Sequence, residues 1–188
     1  VAEQFQTGAL VALPTDASYV LACHLEDRTA VDRMRQLRGI DEKHLLTLLC
    51  RDLSELSQYA QVDNRQFRFL KEWTPGAYTF ILPATREVPR RLMHPSRKTV
   101  GLRVPEAPIV QALLAELGVP LLCASLILPG DEDPLSDPDD IEDRIGKRID
   151  LLVDGGAGQL EATSVIDVTG DEPVIQRVGL GPVEAMLR

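Results

Sequence analysis

The feature that most constrains this chain is a repeated switch in hydrophobic period. "SYVLACHL" is a near-continuous apolar run of the kind carried by strands buried on both faces. Directly after it, "EDRTAVDRMRQLRG" places Ala30, Val31, Met34 and Leu37 at helical spacing, opened by a polar cap and closed by Gly39. The switch recurs: "HLLTLLC" reads as a strand and "RDLSELSQYAQ" as a helix. "NRQFRFLKEW" reads as a second helix, stopped at "TPG" because proline disfavours helix in the residue before it. "APIVQALLAELG" carries Pro108 near its start and Gly118 as its C-cap, and "VPLLCASLIL" follows as a buried strand. "DPDDIEDRIGKRI" reads as a helix with acids in its first turns and Lys147 and Arg148 in its last. Strands follow one another without an intervening helix near residues 77–104 and 151–180. The pattern therefore predicts an α/β fold on a mixed sheet, built as one domain over residues 1–188.

Composition narrows the class. With 188 residues and 44% hydrophobic content the chain can bury a full core. No run of about 18 apolar residues is present and the N-terminus lacks a signal-peptide pattern, so a cytoplasmic protein with no membrane association is expected. Cys23, Cys50 and Cys123 sit in apolar settings without C-x-x-C spacing, which predicts buried reduced thiols and no metal site. A net charge of -9 argues against general affinity for nucleic acid. The charge is segregated, however: acids crowd residues 130–143, whereas residues 85–103 hold Arg86, Arg90, Arg91, Arg97, Lys98 and Arg103 against Glu87 alone. That segment is either a dispersed solvated surface or one basic face.

Common catalytic signatures are absent: no phosphate loop, G-x-G-x-x-G, G-x-S-x-G or H-E-x-x-H occurs. What stands out is polar groups at the ends of apolar strands, where α/β sheets present ligand-binding atoms. These are the knot Pro14-Thr15-Asp16-Ala17-Ser18-Tyr19, Arg38 at a helix end, Ser125 in "CASLILPG", and "TSVID" followed by "QRVG". Taken singly, each also fits a structural role, as a strand-edge hydroxyl, a helix-dipole cation or a satisfied core serine.

As an ordered set, "LPTDASY", "RQLRGIDEKH", "TPGAYTFILPA", "VGLRVPEAP", "PLLCASL", "ATSVID" and "QRVG" resemble the YrdC-like family, which includes the threonylcarbamoyl-AMP synthases. "CRDLSEL", "REVPRRLM" and "SDPDDIEDR" are similar to its YciO branch in particular. The resemblance implies a YrdC/RibB-like fold, a twisted mixed sheet flanked by helices around a large concave basic cavity. It implies nucleotide or RNA ligands, and, for an active enzyme, a nucleotidyltransferase that joins threonine, bicarbonate and ATP with Mg2+ for tRNA modification. It assigns substrate or nucleotide contacts to Thr15, Tyr19, Arg38, Arg103, Ser125, Ser164 and Arg177, with Lys43 or His44 as an added positive charge. Arg86, Arg90, Arg91, Arg97 and Lys98 would contact RNA, whether tRNA or double-stranded, in a protein that binds without turnover.

Departures from the synthase pattern bear on activity. The pattern PTDT-x-YG reads "PTDASYV", the lysine of K-x-R is Gln36, the histidine of R-V-P-x-H-P is Ala107, and Ser-Ala-Asn reads Ser125-Leu126-Ile127. Each lost polar partner in a desolvated site costs about 1.5 to 3 kcal/mol. An adenylate-forming enzyme and a non-catalytic RNA-binding protein are therefore both expectations of this sequence.

Overall fold

The computed structural model describes residues 1–188. Helix α1 (Ala2–Gln6) leads into strands β1 (Val11–Leu13) and β2 (Val20–His24), and α2 (Arg28–Arg38) follows. Asp27 caps α2 by accepting from the Ala30 N–H, and Gly39 ends it in the left-handed region at φ 64°. Next come β3 (Thr47–Leu49), α3 (Leu53–Tyr59), α4 (Asn64–Trp73) and β4 (Tyr78–Pro83). An Asp63–Gln66 capping box starts α4. A long loop with one short 3-10 turn leads to β5 (Thr99–Arg103), then α5 (Pro108–Leu117), β6 (Leu121–Ser125) and α6 (Pro138–Ile145). The short strands β7 (Leu151–Leu152), β8 (Ser164–Asp167) and β9 (Val174–Arg177) complete the chain. Helix α6 is shorter than its charge pattern predicts. It ends at Ile145, so Lys147 and Arg148 lie beyond it and Arg144 occupies its last turn.

The strands form one nine-stranded sheet in the order β7-β1-β2-β6-β3-β5-β4-β8-β9. Pairs β1/β7, β3/β5 and β4/β8 are parallel and the rest antiparallel, the mixed sheet that consecutive strands without crossover helices require. No helix is long and apolar enough to cross a membrane.

The two faces of this sheet are covered differently. One face carries the larger core, where Leu21, Leu48, Leu122, Leu102, Phe80 and Ile166 pack under α2, α3, α4 and α6. On the opposite face α1 and α5 cover only part of the sheet, burying Phe5, Val110 and Leu114 against Val11, Val20, Leu49 and Leu121. Farther along that face, alternation brings up Gly101 of β5, Thr79 and Ile81 of β4, and Val165 of β8. No helix lies over them, and the uncovered stretch is concave.

Candidate functional site

A cavity of about 220 Å3 occupies the uncovered half-face, with Arg38, His44, Thr79, Thr163, Ile127 and Arg177 among its lining. Its floor depends on Gly101: a methyl group there would lie 2.8 Å from Thr47 Oγ1. Arg38 enters from the last residue of α2, where the turn at Gly39 releases the chain. Its Nε donates to Ile127 O and its Nη1 to Ser125 O, both at 2.7 Å. Arg177 enters from the opposite side. Its Nε and Nη2 donate to Thr163 O at 3.0 and 2.8 Å, and Nη2 also reaches Thr163 Oγ1 at 3.3 Å. Thr163 Oγ1 in turn shares a 2.7 Å hydrogen bond with Thr79 Oγ1.

Local irregularity aims Arg177. Neighbouring strand residues normally face opposite sides, yet Gln176 and Arg177 both line the cavity. The register shift between β8 and β9, where Val165 pairs with Arg177 but Ile166 with Ile175, accounts for this. The turn after Arg177 is pinned by Ser164, whose hydroxyl donates to Gly181 O at 2.6 Å and accepts from the Gly179 N–H at 2.9 Å.

The electrostatics of the cavity are one-sided. Its lining contains no carboxylate. Burial, then the neighbouring Arg177, lowers the Arg38 pKa; burial, then Arg103, lowers that of Arg177. His44 stands exposed at the cavity mouth; the desolvation of its ring against the cavity wall lowers its pKa, Arg38 and Arg177 add to the effect, and Asp41 opposes them. Both guanidiniums are held by carbonyl oxygens, leaving Arg38 Nη2 and Arg177 Nη1 without protein partners. Fixed positive charge with free donors and no carboxylate in the lining is an arrangement chemically suited to an anion.

Of the residues singled out from sequence, the structure gathers Arg38, His44, Ser125 and Arg177 around this cavity. Arg103 lies next to it on the same face but is already partnered: its Nη2 is paired with Asp16 Oδ1 and donates to Thr15 Oγ1 at 2.9 Å. Thr15 thus supports Arg103 and also folds the knot, donating to Ser18 O and accepting from the Ala17 N–H. Tyr19 turns away. Its ring is fully buried in the larger core, and its hydroxyl donates to Gly156 O and accepts from the Gly155 N–H. Ser164 is likewise fully buried and engaged by backbone. Lys43 is exposed and does not line the cavity.

The basic segment lies elsewhere. Val88 and Leu92 anchor it in the larger core beneath α2, and none of its cations lines the cavity. Arg91 is half-buried, donating to Leu25 O, whereas Arg86, Arg90, Arg97 and Lys98 are exposed. Thr47 and Thr79 carried no signal beyond polarity within apolar runs, whereas Thr163 and Gln176 lie in the segments "TSVID" and "QRVG" singled out from sequence but were not named as contacts there. Of the positions that depart from the synthase pattern, Ile127 lines the cavity, Gln36 is exposed, and Ala17, Ala107 and Leu126 are buried. A broader, shallower depression of about 550 Å3 lies between α3, α4 and residues 104–108. It mixes Arg51 and Lys71 with Asp52 and Glu106, so it lacks the single-signed field of the cavity.

The Sua5/YciO/YrdC family model, described as telomere recombination, matches residues 3–179. The chain belongs to this family. It is 50% identical over 185 residues to the uncharacterized protein YciO of Escherichia coli K12, covering 98% of this chain and 90% of that one. It is 26% identical over 181 residues to a threonylcarbamoyl-AMP synthase of Vibrio vulnificus, covering 94% and 96% respectively. The crystal structure of E. coli YciO superposes with a TM-score of 0.95 at 50% identity, over 98% of this chain and 90% of that one. P. abyssi Sua5 complexed with L-threonine superposes with a TM-score of 0.86 at 27% identity, over 95% of this chain but 52% of Sua5. The mixed sheet is therefore the family fold.

Proposed function

We propose that the cavity binds the phosphates of ATP between Arg38 and Arg177, and that the protein forms threonylcarbamoyl-AMP from threonine, bicarbonate and ATP. The observation that carries this reading is the pair of guanidiniums with free donors in a lining without carboxylates. The family relative named threonylcarbamoyl-AMP synthase and the Sua5 complex with L-threonine support the choice of substrates. The threonine amine first adds to the bicarbonate carbon, and loss of water leaves N-carboxythreonine; a carbamate oxygen of that species then bonds to the α-phosphorus. The bond from that phosphorus to the bridging oxygen breaks, and pyrophosphate leaves with the electron pair. No protein nucleophile is required; orientation and charge stabilisation suffice. Arg38 and Arg177, already held by carbonyls, would neutralise charge on the departing pyrophosphate without reorganising. Thr79 and Thr163 offer hydroxyls, while Ile81, Val165 and Ile127 exclude water. With no carboxylate in the lining, Mg2+ would arrive with the nucleotide and be held by its phosphates, where it supplies further charge neutralisation. Incubation with ATP, Mg2+, threonine and bicarbonate should release pyrophosphate at a rate that Arg38→Ala abolishes. No release above a protein-free blank would remove the enzymatic reading.

A second reading rests on Arg86, Arg90, Arg97 and Lys98, which are exposed and make no ion pair. We propose this loop as an RNA contact independent of the cavity. Binding of labelled tRNA should weaken steeply with salt, and each of Arg90→Ala and Arg97→Ala should reduce the log–log salt slope by about 1. An absence of binding at low salt would remove it.

A further inference from the structure

Among the side chains of the cavity, His44 alone can change its charge near neutral pH. The rest are permanently charged guanidiniums, the Gln176 amide, hydroxyls and aliphatic groups. His44 is also shared between the cavity and an adjoining depression lined by Gly39, Ile40 and Asp41, which places it where a ligand passes from solvent to the guanidiniums. The charges that face it are Arg38 at the end of α2, Arg177 on β9, and Asp41 on its own loop. We infer that His44 is a specificity-determining residue of this cavity, taking up a proton when a multiply charged anion enters and becoming a third cation beside Arg38 and Arg177.

The physical reason is a reversal of local field. Without ligand, desolvation of the ring first, and then Arg38 and Arg177 against Asp41, hold the imidazole pKa below its ordinary value; the charge contribution is the part an entering anion can reverse. A singly charged anion leaves the guanidinium pair in excess and gives the ring little reason to protonate. A pyrophosphate or triphosphate overcompensates both guanidiniums and turns the field at His44 negative. By linkage, a ligand that favours the protonated ring is itself bound more tightly by the protonated protein. The cavity would thus discriminate by ligand charge, and its affinity for polyanions would rise as pH falls. This inference rests on the proposed anion site but not on which nucleotide occupies it.

The chain has three histidines, His24, His44 and His94, so their ring signals can be followed individually by NMR, with His44→Gln supplying the assignment. Titration over about pH 5 to 8 would be run on the free protein and with acetate, inorganic pyrophosphate or ATP. The His44 midpoint should lie below the ordinary histidine value of about 6.5 in the free protein and with acetate. It should rise by about one unit with pyrophosphate, equivalent to a roughly tenfold gain in affinity on protonation. His24 and His94 should not follow. A His44 midpoint unmoved by pyrophosphate, or moved as far by acetate, overturns the inference. A rise with pyrophosphate but none with ATP upholds it while removing the nucleotide reading.

Discussion

Two parts of the same sheet face can be set side by side. Over β1, β2 and β6, helices α1 and α5 seal the surface with Phe5, Val110 and Leu114. Over β4, β5 and β8 nothing seals it, and Arg38 and Arg177 stand there without carboxylate partners. Even the arginines divide along this line. Arg103, close to the sealed part, is buried and paired with Asp16, whereas Arg38 and Arg177 donate to carbonyl oxygens and, for Arg177, the Thr163 hydroxyl, and to no carboxylate. The covered half holds the fold together and the open half is left free to bind, so substitutions in the two should separate stability from affinity.

The largest effect is expected where the covered half carries charge. Asp16→Ala would leave Arg103 buried and unpaired and also remove the acceptor of the Glu106 N–H. Urea unfolding should show a loss of about 3 to 5 kcal/mol; a loss below about 1 kcal/mol would erase the contrast between Arg103 and the cavity arginines. Leu114→Ala, in the fully buried contact of α5, should cost about 2 to 5 kcal/mol and leave anion affinity unchanged. Ser164→Ala sharpens the boundary between the halves. It should cost about 1 to 3 kcal/mol by leaving the Gly179 N–H unsatisfied, and it should also weaken anion binding by loosening the turn that holds Arg177. A change in stability alone would show that the turn does not position Arg177.

The smallest effect is one of pH. Because the folded state holds His44 below its ordinary value, the unfolded chain protonates first as the solution is acidified. Stability of the free protein should be constant well above about pH 6.5 and fall as pH drops through that value toward the lowered one, and His44→Gln should remove this slope. A slope retained in the variant would assign it to other groups.

Much of the fold was legible in the sequence because its signals are local. The α2 boundaries follow from Asp27 and Gly39, the end of α5 from Gly118, and the strands from apolar runs broken by turn residues. The end of α6 was misread: the regular helix ends at Ile145, and Gly146, still in the right-handed region, leads into a turn closed by the Arg148 N–H on Ile145 O that carries Lys147 and Arg148. The site was legible only through the order of its motifs. Arg38, His44, Ser125 and Arg177 do meet at one cavity, but nothing local could reveal that Tyr19 spends its hydroxyl on Gly156, 137 residues away. The same holds for Arg103 and Asp16, 87 residues apart, whose pairing removes a cation from the site. Gln176, although inside "QRVG", was not named beside Arg177 because strand alternation places the two on opposite sides, and only the irregular register of β9 brings both to one side.

The account turns on Arg38 and Arg177 forming an anion seat that the chain can lose and still fold. Calorimetric titration of ATP into the wild type and into a variant carrying Arg38→Gln with Arg177→Gln, alongside thermal unfolding of each, tests it most directly. The expected result is measurable binding by the wild type and a loss of roughly 100-fold or more in the variant, since each charge-assisted contact contributes about 1.5 to 3 kcal/mol, with a lowered thermal midpoint, because the carbonyls of Ser125, Ile127 and Thr163 lose their donors, but a variant still folded at the temperature of titration. Equal affinity in the two proteins, or a variant that unfolds before it can be titrated, would contradict it.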